Sequence, residues 1–386
     1  MVETAQQHQP DLERAGRGPA PPPATRWVTL NEPFGMRCGD VLPEVQIAYE
    51  CWGTLSPAAD NAVLLYTGLS PSAHAASSPA DPSPGWWEYM IGPGRPLDTD
   101  RLFVVCVNSL GSCFGSTGPA SPDPRTGEPY GLDFPQLAVE DIATAGRAAV
   151  RGLGIEYLDA VVGASLGGMS ALAHAVLFPG EVGRLVTLSA AARPSTWAIA
   201  VRSLQREMIR SDPAWNRGRY DERNWPREGM RMARKLGLVS YRSAEEWEGR
   251  FGRSRVIEPE EEPFGTEFQV ESYLDANARK FIDTFDPNAY LYLSRAMDRF
   301  DLAEHAGSVE AALARVEAAR SLVVGVQTDV LFPIEQQQEI ADGLRRAGRA
   351  VRFEALDSLQ GHDAFLVDKE RFEPVVRAFF AEDAER

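Results

Sequence analysis

The chain has 386 residues, 44 % of them apolar, and a formal net charge of −16 from 39 Lys+Arg against 55 Asp+Glu. That is enough apolar material for one large buried core or two smaller ones. Acidity spread along the whole length, with no basic patch, argues against a nucleic-acid partner, and no run approaches the ~18–20 apolar residues of a membrane span.

Residues 1–25, "MVETAQQHQPDLERAGRGPAPPPAT", mix acids with prolines and lack an apolar core segment. They read as a disordered tail rather than a signal peptide or anchor. Short β-branched or apolar runs then recur at 45–51, 62–68, 102–108, 158–165, 184–190, 321–329 and 351–356, the pattern of buried strands. Helical patterns such as 138–154 and 332–348 lie between several of them, and this alternation predicts an α/β fold with a mostly parallel sheet covered on both faces. From 191 to 318 the pattern becomes helical and amphipathic: "STWAIAVRSLQREMIRSD", "REGMRMARKLG" and "QVESYLDANARKFIDTF". This predicts a helical lid inserted between core segments 26–190 and 319–386, with a surface loop at the Pro/Glu-rich "IEPEEEPFG" (257–265). Four cysteines (Cys38, Cys51, Cys106, Cys113) without CxxC spacing suggest reduced thiols in a cytoplasmic compartment and no metal site.

The stretch "LDAVVGASLGGMSALAHAV" (158–176) places Ser165 between a strand pattern and a helix pattern, flanked by Gly163 and Gly167. A nucleophilic serine on a tight strand-to-helix turn requires small neighbours, because the two segments approach closely. A base must take its proton, and the chain has five histidines. His8 lies in the tail, His174 on the following helix pointing away from its strand, and His305 in a polar lid segment. His74 is plausible as a pocket residue. His362, in "LQGHDAFL" after the last strand pattern, stands where the order Ser, Asp, His puts the base. Asp329 in "VVGVQTDVLFP" is the expected orienting acid at a strand's C-terminal end. Asp363 adjoins His362 and suits substrate contact better. The backbone amides of Leu166 and of Leu69, in "LLYTGLSPS", are the expected oxyanion donors.

With these residues in place, the chain resembles the homoserine O-acyltransferase family of α/β-hydrolase-fold enzymes over roughly 26–380. The resemblance rests on "NSLGSCFGSTGPASPDPRTGEPYGLDFP" (108–135), "GASLGGM" (163–169), "TDVLFP" (328–333) and "GHDAFL" (361–366). It implies that Arg234 holds an amino-acid carboxylate and that Asp363 contacts its ammonium group. A bidentate guanidinium suits that carboxylate. The loop "TGLSPSAHAASS" (67–78), Ser109 after its asparagine, and Arg202 where many relatives carry asparagine resemble the serine O-succinyltransferase branch. That branch uses succinyl-CoA and L-serine in a route to cysteine. Homoserine O-succinyl- or O-acetyltransfer and small-ester hydrolysis are the alternatives. The resemblance further implies a ping-pong mechanism, succinyl-CoA as co-substrate with no permanently bound cofactor, and a homodimer. A succinyl group adds a carboxylate, for which Arg202 and, one helical turn on, Arg206 are the candidate partners, as a basic patch over the acyl site.

Overall fold

In the computed structural model, residues 20–257 and 262–381 are described. Positions 1–19 of the expected tail and 258–261 of the expected Pro/Glu-rich loop lie outside them. The central sheet has eight strands: β1 (Arg26–Thr29), β2 (Gln46–Trp52), β3 (Ala62–Tyr66), β4 (Phe103–Val107), β5 (Leu158–Ala164), β6 (Val182–Leu188), β7 (Arg320–Val326) and β8 (Ala350–Leu356). Their spatial order is β1-β2-β4-β3-β5-β6-β7-β8. The pairs β1/β2 and β2/β4 are antiparallel and the remaining pairs parallel. All seven strands read from sequence are present. β1, only four residues long and mostly exposed, carries too little apolar signal to be read alone.

The continuous apolar runs are explained by the two covered faces. Leu64 and Tyr66 of β3 pack into one core cluster with α1 (Val139–Gly152) and α2 (Leu166–Leu177). Val63 and Leu65 point the other way, into a second cluster. Between β6 and β7 lie α3 (Thr196–Ser211), α4 (Arg227–Tyr241), α5 (Ala244–Phe251), α6 (Gln269–Ile282), α7 (Pro287–Arg299) and α8 (Val309–Leu313). Then α9 (Ile334–Arg346) leads into β8, and α10 (Ala364–Val367) and α11 (Lys369–Ala381) follow it; Phe372, Val376 and Phe379 of α11 belong to the second cluster.

His174, expected on the following helix and pointing away from its strand, packs instead against Tyr66 of β3. It is fully buried, with Nδ1 2.8 Å from the Tyr66 hydroxyl, because α2 is covered all round. Burial drives its pKa down to about 3, so the ring stays neutral. His305 is likewise tied down, its Nε2 2.8 Å from Glu140 Oε1.

The junction of β5 and α2 is packed backbone to backbone. A Cβ on Gly163 would lie 2.1 Å from the Gly167 carbonyl oxygen, and one on Gly167 2.2 Å from that of Tyr66. Neither obstacle is a flexible side chain. Gly167→Ala is therefore expected to destabilise the fold by about 3 kcal/mol. Gly249→Ala on α5, where nothing lies within 4 Å, should be neutral or stabilising by up to about 1 kcal/mol. Denaturant unfolding of the two variants checks this, and equal midpoints would contradict the packing account.

Candidate active site

Ser165 occupies the turn between β5 and α2 with φ 56° and ψ −122°, a left-handed conformation that a non-glycine residue adopts only under constraint. Its N–H donates to the Leu188 carbonyl at 3.0 Å, which ties the turn to the neighbouring strand β6. The hydroxyl is thereby lifted above the C-terminal ends of the strands. There it lies 2.8 Å from His362 Nε2.

The other ring nitrogen of His362, Nδ1, is 2.7 Å from Asp329 Oδ2. Asp329 sits three residues beyond the end of β7, and its Oδ1 accepts from the amides of Leu331 and Phe332 at 2.9 and 2.8 Å. The carboxylate is thus oriented from behind. With Nδ1–H donated to it, Nε2 keeps its lone pair and accepts the Ser165 hydroxyl proton. Phe332 stacks on the imidazole with ring centroids 4.8 Å apart, and all three side chains are buried. The histidine's own loop is held tightly: Gly361 has φ +61°, and a Cβ there would stand 2.7 Å from the Tyr241 carbonyl oxygen at the end of α4.

Leu166 heads α2, where the first-turn amides have no intrahelical acceptor and the helix dipole is positive. Leu69 lies in the irregular segment after β3, in the wall of the cavity above Ser165. Its N–H has no acceptor among the described residues. Both amides are therefore free to receive a ligand oxygen.

The cavity has a volume of about 130 Å³, and Arg202, Gln205, Arg234, Tyr241, Tyr290 and Asp363 belong to its wall. Arg234, on α4, has no carboxylate partner among the described residues. Its guanidinium lies over Phe281 at 4.5 Å and is 5.9 Å from the Tyr241 ring centre. Burial raises the phenol pKa values of Tyr241 and Tyr290, so both face the cavity as neutral hydroxyls. Asp363 is engaged on one oxygen, Oδ2, by Arg242 Nε at 3.1 Å. Arg242 also reaches Gln360 and Glu246, a clamp that the sequence reading missed.

Arg202 and Arg206 are placed differently from expectation. Both pair with Asp298 of α7, Arg202 Nε with Oδ1 at 2.6 Å and Arg206 Nη2 with Oδ2 at 2.6 Å. Arg202 lines the cavity, and its Nη1 and Nη2 are buried without a hydrogen-bond partner. Arg206 does not join it. It faces a separate groove with Arg210, Arg295 and Arg299, because the i+4 position carries it past Asp298 to the other side of the α3–α7 contact. His74 is not in the cavity wall either, being bonded to Glu50 and to the Ser83 carbonyl. Among the described residues no cluster of three or more His, Cys, Asp and Glu is placed to hold a metal ion, and no helix is long and apolar enough to cross a membrane.

Residues 62–369 match the family model for the alpha/beta hydrolase fold. A serine O-succinyltransferase of Litchfieldella anticariensis is 59 % identical over 363 residues, covering 93 % of this chain and 99 % of the relative. The chain belongs to the homoserine O-acyltransferase family of the α/β-hydrolase fold and is an acyltransferase. An L-serine/homoserine O-acetyltransferase of Streptomyces lavendulae is 58 % identical over 366 residues, covering 93 % of this chain and 98 % of the relative. Among solved structures, homoserine O-acetyltransferase from Bacillus anthracis superposes with a TM-score of 0.85 at 29 % identity, over 92 % of this chain and 97 % of that one. Esterase E22 superposes with a TM-score of 0.84 at 29 % identity, over 92 % and 99 %.

Asp329→Asn should leave the two amide contacts to Oδ1 in place but present an N–H to His362 Nδ1, forcing the proton onto Nε2 and removing the acceptor for Ser165. A loss of about 10⁴-fold in kcat with an unchanged unfolding midpoint is expected. Steady-state kinetics beside thermal unfolding checks it, and a loss below tenfold would contradict the assigned geometry.

Proposed function

We propose that this acyltransferase moves a succinyl group from succinyl-CoA to the hydroxyl of L-serine. The observation that carries the reading is a charge count. The cavity over Ser165 holds two guanidinium groups with unfilled donor positions: buried Arg202, whose Nη1 and Nη2 lack partners, and half-buried Arg234, whose enclosed Nε lacks one. The proposed substrates bring two carboxylates, one on the amino acid and one at the end of the succinyl chain. An uncompensated buried charge is costly, and a carboxylate presented to a bidentate donor offsets that cost. Cavities for neutral esters have no need of either arginine. The names of the relatives from Litchfieldella anticariensis and other bacteria support the same substrates.

In this reading Ser165 Oγ attacks the thioester carbonyl while His362 Nε2 takes its proton, and the Leu69 and Leu166 amides receive the developing oxyanion. The C–S bond then breaks, and the proton on Nε2 goes to the departing thiolate. The amino acid enters with its carboxylate on Arg234 and its ammonium group on the free oxygen of Asp363. His362 deprotonates its hydroxyl, which attacks the acyl-enzyme carbonyl; the proton returns to Ser165 as the ester leaves. Water competes with that second nucleophile, so helices α3, α4 and α7 over the cavity matter for transfer over hydrolysis. The succinate ester so formed carries a leaving group suited to later replacement on the route to cysteine in the cytoplasm. Exposed Trp197 and Leu204 on α3 and Met232 and Val239 on α4 support the homodimer as part of this reading.

The Streptomyces lavendulae relative favours a second reading, acetyl transfer to serine or homoserine. The acceptors differ by one methylene, worth only ~1–3 kcal/mol of discrimination in a pocket. Crossing succinyl-CoA and acetyl-CoA with L-serine and L-homoserine separates the readings directly. Arg202→Asn sharpens the test, because Arg206 still neutralises Asp298. It should lower kcat/KM for succinyl-CoA by about 10–100-fold, the worth of one charged hydrogen-bonded contact, and leave acetyl-CoA use within about threefold. Equal losses with both donors would reject Arg202 as the succinyl partner. Incubation with succinyl-CoA should add a succinyl mass to the wild-type chain and none to Ser165→Ala; an adduct on the variant would reject Ser165 as the nucleophile.

A further inference from the structure

Residues 67–85, between β3 and the turn that begins at Trp86, contain no helix or strand. One end of this segment puts Gly68, Leu69 and Pro71 into the cavity wall, and Trp86 follows at the other. Its middle is fastened to the sheet at His74, which is buried, as is its partner Glu50 on β2. His74 Nε2 lies 2.9 Å from the Ser83 carbonyl oxygen, which only accepts, so Nε2 carries a hydrogen. Nδ1 lies 2.8 Å from Glu50 Oε2. A bare ring nitrogen and a carboxylate are both acceptors and would repel at that distance. One further proton must therefore reside between them, and Asp81 Oδ2, 3.8 Å from Nδ1, favours its charge on the ring.

We propose that Glu50 and His74 form a positioning pair for the reaction, whose shared proton ties residues 68–86 to β2 and so holds the Leu69 amide in place over Ser165. This rests on Leu69 serving as an oxyanion donor in the proposed function. The connection from the pair to the cavity is short. Trp86 N donates to the His74 carbonyl at 3.3 Å, Trp86 Nε1 to the Ser72 carbonyl at 3.0 Å, and Asn108 Nδ2 to the Pro71 carbonyl at 3.3 Å. The titratable groups near the pair are few. Asp81 comes from the segment itself, its Oδ1 accepting from the Ser83 hydroxyl. Cys106 of β4 lies opposite Glu50 in the sheet, its thiol kept neutral by burial. Thr25 Oγ1 donates to the other Glu50 oxygen at 3.4 Å, and Glu88 is occupied with Ser77 and the Gly85 amide. Burial pulls the pKa of His74 down, but the bonds to Glu50 and Ser83 and the charges of Glu50 and Asp81 outweigh it, and the net direction is up. The tie is accordingly complete below the ordinary histidine range and is lost as pH rises through the raised value.

Glu50→Gln provides the test, because a carboxamide N–H can donate to Nδ1 of a neutral imidazole and the tie no longer needs the proton. Wild type should lose kcat on the alkaline side, whereas Glu50→Gln should keep kcat at neutral pH and move that decline upward by at least about one pH unit. His74→Ala should lower kcat about tenfold or more, as for a misplaced oxyanion donor, with KM for both substrates within about threefold. In ¹⁵N-histidine-labelled protein, the ring signals missing from His74→Ala should show both nitrogens protonated in wild type at pH 7. Superimposable alkaline limbs in wild type and Glu50→Gln, or a neutral His74 ring in wild type at pH 7, would overturn the proposal. Absence of wild-type turnover with every acyl-CoA tried would instead count against the proposed function.

Discussion

The turn at Ser165 is the constraint on which the rest of the site depends. A residue held at positive φ between a buried strand and a buried helix is stable only if the surroundings over-determine it. Here they do: the serine N–H is bound to β6, Gly163 meets Gly167 at backbone distance, and Gly167 meets the end of β3. The same close approach that requires glycine brings three strand ends together. Ser165, the segment carrying Leu69 and the turn carrying Asp329 therefore converge from β5, β3 and β7 without any long-range adjustment.

The inserted helices do more than cover the cavity. The end of α4 fixes the histidine loop, through the close contact of Gly361 with the Tyr241 carbonyl, Arg242 on Asp363 and Gln360, and Ser243 Oγ donating to the Leu359 carbonyl at 2.5 Å. α3 and α7 meet through Asp298, which divides its two oxygens between Arg202 on the cavity side and Arg206 on the other. A buried carboxylate with two guanidinium partners leaves a net positive charge, and it is on Arg202 that the bare donors face the cavity. The unfilled donors of Arg202 thus arise from the packing of the insertion, whereas Ser165, Asp329 and His362 are set by the ends of sheet strands.

Much of this was legible in the chain. The seven buried strands, the two crossover helices and three of the inserted helices carry strong periodic signals, and the Ser165, Asp329 and His362 triplet follows from chain order and strand ends. Helix α7 was not read. Its pattern "PNAYLYLSRAMDR" is short and opens on a proline, and its Asp298 looks like any surface acid in one dimension. For the same reason the sequence puts Arg206 beside Arg202: i+4 spacing places two side chains on one helix face, but it cannot say that a carboxylate from another helix stands between them. Glu50, read only as part of a strand, gains its meaning from a histidine 24 positions away.

The chain's pattern is enough for the α/β class and for singling out Ser165, Asp329 and His362, which the structure brings into hydrogen-bond contact. Periodicity and glycine spacing are local properties of backbone sterics, and the order of strand ends follows from connection rules that need no coordinates. Which charges are neutralised and which remain available is set in three dimensions. Pairing depends on distances of a few ångströms between elements far apart in the chain, and burial multiplies the consequence of each unfilled donor or acceptor. Hence Arg202 is left with open donors in the cavity while Arg206, on the same helix, is turned to another groove, and His74 is an anchor rather than a pocket residue.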